Sequence, residues 1–271
     1  IVAAASKVRV IGARHSFNEL HDCPETIITL ANLDQTVAID PVRQTATVNA
    51  GITYRELCPQ LQRAGYALHN LASLDHITVI GACMTATHGS GDAHGNLATA
   101  VAGLEMVTAA GELVTLSRDK DGERFLGAVV ALGALGVVTK VTLKLLPTFI
   151  MQQDTYEKLP LAELYNHFDA IMSHGYSVSL FMDWQHDWVD TLLIKQQLAD
   201  ERPCPVPTTF FGATLAPNER PADPASDREA TPMGRPGPWH ERLPHFSLKD
   251  PQGPGHELQS EHFVPRRHAV A

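Results

Sequence analysis

Residues 70–96 read N-L-A-S-L-D-H-I-T-V-I-G-A-C-M-T-A-T-H-G-S-G-D-A-H-G-N, and the reading of this stretch decides the fold. Small residues dominate it: Ser73, Thr78, Gly81, Ala82, Thr85, Ala86, Thr87, Gly89, Ser90, Gly91 and Gly95. With so little side-chain bulk, backbone N–H groups can approach a ligand closely and line an anion-binding concavity, as a diphosphate requires. The spacing is neither G-x-x-x-x-G-K-[ST] nor a G-x-G-x-x-G that opens a helix after a strand, so P-loop and Rossmann turns both fit poorly. On composition alone, a Gly-rich surface loop is an equally good reading.

Two further motifs accompany this stretch. Gly12-Ala13-Arg14-His15-Ser16-Phe17-Asn18 follows a strand-like alternation at Lys7–Ile11, and Thr87-His88-Gly89-Ser90-Gly91 lies within residues 70–96 itself. Taken in order with Ser73-Leu74-Asp75-His76-Ile77-Thr78-Val79-Ile80-Gly81-Ala82-Cys83, they resemble the FAD-binding domain of the alditol (xylitol and sorbitol) oxidases. Those enzymes are PCMH-type flavoproteins of the vanillyl-alcohol-oxidase kind and relatives of the sugar-lactone oxidases. The resemblance is clear from Ile1 to about Pro147 and looser beyond. It implies an α+β fold: an FAD-binding domain of two α/β subdomains over residues 1–147, then part of an α+β substrate domain over 148–271 whose antiparallel sheet caps the flavin.

The resemblance also assigns residues. Val10, Ile11, Gly12, Ala13, Arg14, His15, Ser16, Ser73, Thr78, Gly81, Thr85, Ala86, Thr87, His88 and Val138 match flavin-binding positions, mostly through backbone. His15 matches the histidine that is covalently attached to the flavin 8α-methyl carbon; a neutral imidazole nitrogen is a competent nucleophile for that attachment. Such a link would raise the flavin's reduction potential, as oxidation of an unactivated alcohol needs. The plainer reading of His15 is a loop histidine bonded to backbone. Ser73 matches a serine that touches the substrate, its hydroxyl able both to donate and to accept; otherwise it is a turn serine capping backbone. Val138 is either a main-chain flavin contact or an ordinary core valine. His76 and His94 read as polar loop or packing residues without a task.

The implied activity is FAD-dependent oxidation of the primary alcohol of a polyol to an aldose, with dioxygen reduced to hydrogen peroxide. The alternatives are a sugar-lactone oxidase or dehydrogenase of the same superfamily, and a truncated flavin-binding fragment without activity. In the resembling family a strand and the body of a helix precede the Lys7–Ile11 strand. A Glu-x-Arg pair and a catalytic lysine follow beyond the position of Ala271. The chain is therefore expected to lack both ends, and Glu257, Glu261 and Arg266 do not inherit those roles.

Composition narrows the partners. A formal net charge of -9 over 271 residues disfavours nucleic acid and anionic membrane, which select clustered Lys and Arg. The longest apolar run, Phe125–Val138, is shorter than a membrane span, and Ile1–Ala5 lacks the pattern of a signal peptide. A cytoplasmic monomer acting on a small polyol and dioxygen is the expectation. Cys23, Cys58, Cys83 and Cys204 are too dispersed for a disulfide scaffold and read as free thiols; 14 scattered histidines lack metal-ligand spacing, so no metal is expected.

Along the chain, Ile1–Ala5 reads as the last turn of a helix, and Thr26–Leu30, Val37–Asp40 and Thr45–Ala50 as strands. Thr53-x-x-Glu56 is a capping-box pattern opening a helix that Gly65 stops, with Pro59 expected to kink or shorten it. Leu104–Thr108 and Glu112–Leu116 read as a hairpin, Asp119–Gly122 as a charged turn, Phe125–Ala134 as a short helix and Val137–Leu146 as a strand. Leu161–Ser173 is an amphipathic helix, and Tyr176–Asp183 and Trp188–Gln196 are a strand pair. From Glu201 onward, where 13 of the 18 prolines fall, irregular chain is expected. Pro238–Pro244 resembles a segment of the family's substrate domain, and Glu257–Pro265 one of its strands.

Overall fold

The computed structural model describes residues 1–16, 18–217, 228–248 and 260–270. Its contacts divide the chain into two units, one of residues 1–89 and 95–148, the other of residues 90–94 and 149–271.

In the first unit the expected strands form where alternation gives each one buried face. β1 (Val8–Ile11) and β2 (Thr26–Thr29) make a parallel pair. β3 (Val37–Asp40) and β4 (Thr45–Asn49) follow, with Ala46 and Val48 of β4 buried. α1 (Tyr54–Arg63) starts at Thr53 in a complete capping box: the Thr53 hydroxyl accepts from the Glu56 N–H, and the Glu56 carboxylate accepts from the Thr53 N–H. Pro59 neither kinks nor shortens this helix, contrary to expectation. Proline removes only its own N–H bond, and burial of Leu57, Cys58 and Leu61 holds the helix together around the gap.

β5 (Tyr66–Ala67) precedes the small-residue stretch, whose middle coils into a short helix, α2 (Val79–Met84). β6 (Val101–Val107) and β7 (Leu113–Ser117) are the expected hairpin. Asp119–Gly122 is not a separate turn: it belongs to α3 (Arg118–Val129), which is kinked at Gly122 and ends before Ala134. The Asp121 carboxylate accepts from the Ser117 N–H, satisfying an end-of-helix donor that a free turn would leave to water. β8 (Val137–Lys144) completes a five-stranded antiparallel sheet of order β3-β4-β8-β6-β7, and β9 (Leu146–Pro147) pairs with β5. Ile1–Ala5 contributes only a 3-10 turn, Val2–Ala4.

The second unit is built on a strand that periodicity did not reveal. β10 (Ile150–Pro160) buries Gln152, Gln153, Asp154 and Thr155 in succession, so neither alternation nor apolarity marks it. α4 (Leu161–Met172), β11 (Ser177–Phe181) and β12 (Trp188–Leu198) lie where expected, and β10 pairs along its length with β12. β13 (Thr209–Phe210) and β14 (Ala213–Leu215) extend the antiparallel sheet to the order β11-β12-β10-β14-β13. β15 (Arg228–Ala230) pairs with a later strand, and β16 (Gly237–Pro238) joins β10 and leads into α5 (Trp239–Arg242), whose Trp239 is fully buried. β17 (Phe246–Leu248) is the partner of β15. Tyr156, Leu159, Ile171, Leu192 and Phe210 form the core of this unit.

The strand expected at Glu257–Pro265 is not found at residues 260–265, which carry no regular secondary structure; residues 257–259, like Phe17, lie outside the described residues. Phe263 and Val264 there are exposed. The mixed architecture with antiparallel sheets is the α+β class expected. Among the described residues all four cysteines are free, and no helix is long and apolar enough to cross a membrane.

Candidate functional site

The two motifs that lie 55 residues and more apart in the sequence meet in the first unit. β1 ends with Val10 and Ile11, and the chain then turns through Gly12, Ala13 and Arg14, the last at φ 58. A left-handed backbone at a residue with a side chain is uncommon and marks a conformation held by its surroundings. A Cβ on Gly12 would overlap the Thr78 hydroxyl, and one on Gly81 would come within 2.6 Å of the same oxygen. Thr78 is buried between these two glycines, which explains both without reference to a ligand.

Residues 75–79 are stitched to the start of α1. The Tyr54 N–H donates to the Ile77 carbonyl, the Arg55 N–H to the Asp75 carbonyl and the Val79 N–H to the Ile52 carbonyl. The Arg55 guanidinium grips both oxygens of Asp75 at 2.9 and 2.7 Å. His76, between these anchors, stands edge-on to His15: the ring centroids are 5.3 Å apart and the planes are inclined at 81°. Both ring nitrogens of His76 are buried and find no hydrogen-bond partner among the described residues. Burial lowers the His76 pKa and the neighbouring His15 lowers it further; His15, although largely exposed, is also lowered by partial desolvation.

The remaining expected residues take varied places. Ser16 turns to His21, its hydroxyl 2.9 Å from Nδ1. Ser73 is half-buried. The Thr85 hydroxyl lies 3.1 Å from that of Thr87, Ala86 has φ 56, and His88 Nδ1 lies 2.9 Å from the carbonyl of its neighbour Gly89. Val138 is a core residue of β8 opposite Met106. The structure thus joins Gly12, Thr78, Gly81 and His15 through direct neighbours, and leaves Val138 in the sheet. His76 is the residue that the sequence left without a task; its only signal was its place within the Ser73–Cys83 run.

These residues suit a dinucleotide bearing a reactive ring. The side-chain-poor backbone at Gly12–Ala13 is exposed, and His76 presents two orphaned nitrogens beside an exposed imidazole. A family model described as "FAD binding domain" matches residues 1–117, which contain all three motifs. Residues 1–117 therefore carry an FAD binding domain. FAD is the cofactor of this domain.

The chain is also similar to curated enzymes. It is 42% identical to an alditol oxidase of a Streptomyces species over 95% of this chain and 61% of that protein. It is 32% identical to an L-gulono-1,4-lactone dehydrogenase of Mycobacterium tuberculosis over 76% of this chain and 48% of that one. Against the L-gulonolactone oxidase of Bos taurus the identity is 34% over 60% of this chain and 37% of the other. The chain therefore spans between about a third and three fifths of the length of these FAD-domain relatives.

Proposed function

We propose that this chain is the flavin-binding domain and part of the substrate domain of an FAD-dependent oxidase that converts the primary alcohol of an alditol to an aldose, with dioxygen reduced to hydrogen peroxide. The observation that carries this reading is the extent of the likeness to alditol oxidase: it covers 95% of the chain, running well past the FAD domain match at residues 1–117 into the second unit. The lactone enzymes match at lower identity over less of the chain. Residues 1–147 form the flavin domain and 148–271 the substrate part in this reading, and the enzyme is a cytoplasmic monomer.

Bound FAD would supply the redox chemistry, a two-electron acceptor for the alcohol that dioxygen can reoxidise. The protein's own residues bind and orient. The backbone at Val10–Ser16 and the run Thr78–His88, with Thr85, Ala86 and Thr87, hold the dinucleotide, and Val138 contributes main chain. His15 is the covalent tether. The Ser73 hydroxyl donates to or accepts from one polyol hydroxyl while another is oxidised.

Absorbance spectra of the purified protein, native and denatured, test the tether beside a His15→Ala variant: a flavin band that survives denaturation only in the wild type supports it, and colourless protein from a flavin-sufficient host sinks the flavoenzyme reading. Peroxide release is then measured with xylitol, sorbitol and L-gulono-1,4-lactone. Faster release with the polyols is expected; a preference for the lactone would replace the alditol assignment.

A further inference from the structure

His76 has no role in the function proposed above, yet its environment is hard to account for as packing. Its ring meets His15 edge to face at 5.3 Å between centroids, and neither of its buried nitrogens is hydrogen-bonded among the described residues. Burying both nitrogens unpaired costs stability that a phenylalanine of similar shape would not. The backbone on either side is fixed by the bonds of Asp75 and Ile77 to the start of α1, so the ring is held at this position rather than drifting there. A neutral imidazole always keeps one basic nitrogen, so His76 carries an unused proton acceptor against the ring of His15. The groups next to the two histidines in the chain are otherwise committed: the Asp75 carboxylate to Arg55, and the Ser16 hydroxyl to His21.

We propose that His76 is the general base for attachment of FAD to His15. This inference rests on the reading of His15 as the tether. In the attachment a bond forms between a His15 ring nitrogen and the flavin 8α carbon. The imidazole loses its N–H proton and the methyl group loses one C–H hydrogen as a proton, leaving an electron pair that dioxygen takes up with both protons as hydrogen peroxide. His76 receives the proton that leaves His15. The rings are already adjacent, at 5.3 Å between centroids, and catalytic contacts commonly tighten only when the reacting group is bound. Burial and the nearby His15 both disfavour a charged His76, so it starts in the accepting form.

The test follows attachment itself rather than turnover. Protein from a flavin-deprived host is mixed with FAD, and covalent incorporation is timed by flavin fluorescence on a denaturing gel and by the gain in intact mass. Wild type is compared with His15→Ala, His76→Ala and His76→Phe. The expected result is no incorporation in His15→Ala, reversible FAD binding with attachment about 100-fold slower in both His76 variants, and recovery of the His76→Ala rate on adding imidazole. Wild-type attachment speed in His76→Phe, with His15→Ala still inert, overturns the inference and leaves the tether standing. Slow attachment that imidazole does not restore, together with weakened reversible binding, also overturns it by making His76 structural. Only releasable flavin in the wild type removes the tether and this inference together.

Discussion

The side-chain hydroxyl of Thr78 occupies the space into which a Cβ on Gly12 would project. The end of β1 and the small-residue stretch are therefore in contact at a point where neither can grow.

Gly12→Ala is expected to destabilise the protein by about 1–3 kcal/mol, since the added methyl forces Thr78 or the loop to move. Gly12→Ala with Thr78→Ala should recover much of the loss, because the second change removes the clashing hydroxyl. Denaturant unfolding of the four proteins of this cycle checks it, and simple additivity would show that the two residues do not meet.

Thr53→Ala is expected to cost about 1 kcal/mol through loss of the α1 cap. Because the main chain at Thr53 pairs with that at Thr78, a loosened start of α1 should lower FAD affinity alongside stability. Calorimetry with FAD present and absent separates the two effects, and an unchanged affinity would confine the damage to the helix.

Ser73→Ala is expected to bind FAD normally and to lower kcat/KM for polyols by roughly 3- to 10-fold, the worth of one net hydrogen bond. Steady-state kinetics with flavin content measured on the same samples decides the matter. Unaltered kinetics would return Ser73 to an ordinary turn residue.

His245 gives the second unit a pH dependence. Its ring, near Ser90 and Ser179, is half-buried, and desolvation, with Lys195 adding to it, lowers its pKa from 6.5 to about 3. The unfolded chain therefore binds a proton near pH 6.5 that the folded chain refuses until about pH 3. The stability is complete above pH 6.5 and is lost as pH falls toward 3, with a slope approaching about 1.4 kcal/mol per pH unit. His245→Gln should flatten that slope in acid unfolding curves, and a slope matching the wild type would remove His245 as its source.

How much was legible depended on how local the signal was. The capping box at Thr53 and Glu56 lies within four residues, and the alternation in β4 within five, so sequence revealed both. β10 was invisible because its buried face includes Gln152 and Asp154, which satisfy each other and the Cys204 carbonyl rather than water. Pro59 misled because tertiary burial outweighs one missing backbone bond. His15 was legible from its motif, whereas the contact with His76 joins residues 61 positions apart and exists only once β1 and the Asp75–Val79 segment are in place.

Residues 90–94 belong to the second unit although the chain on both sides belongs to the first. Ser90 is bonded to Ser179, and Asp92 to Ser173 and Arg266. On the ribosome, which releases chain from the N-terminus, these five residues emerge well before their partners have been made. They must stay unspent through the synthesis of at least 80 further residues, which makes them a loop whose final shape is fixed late. A gene cut after Thr148 would consequently yield a first unit carrying a segment with nothing to fold against, so separate expression of either unit calls for splicing residues 90–94 rather than a single cut.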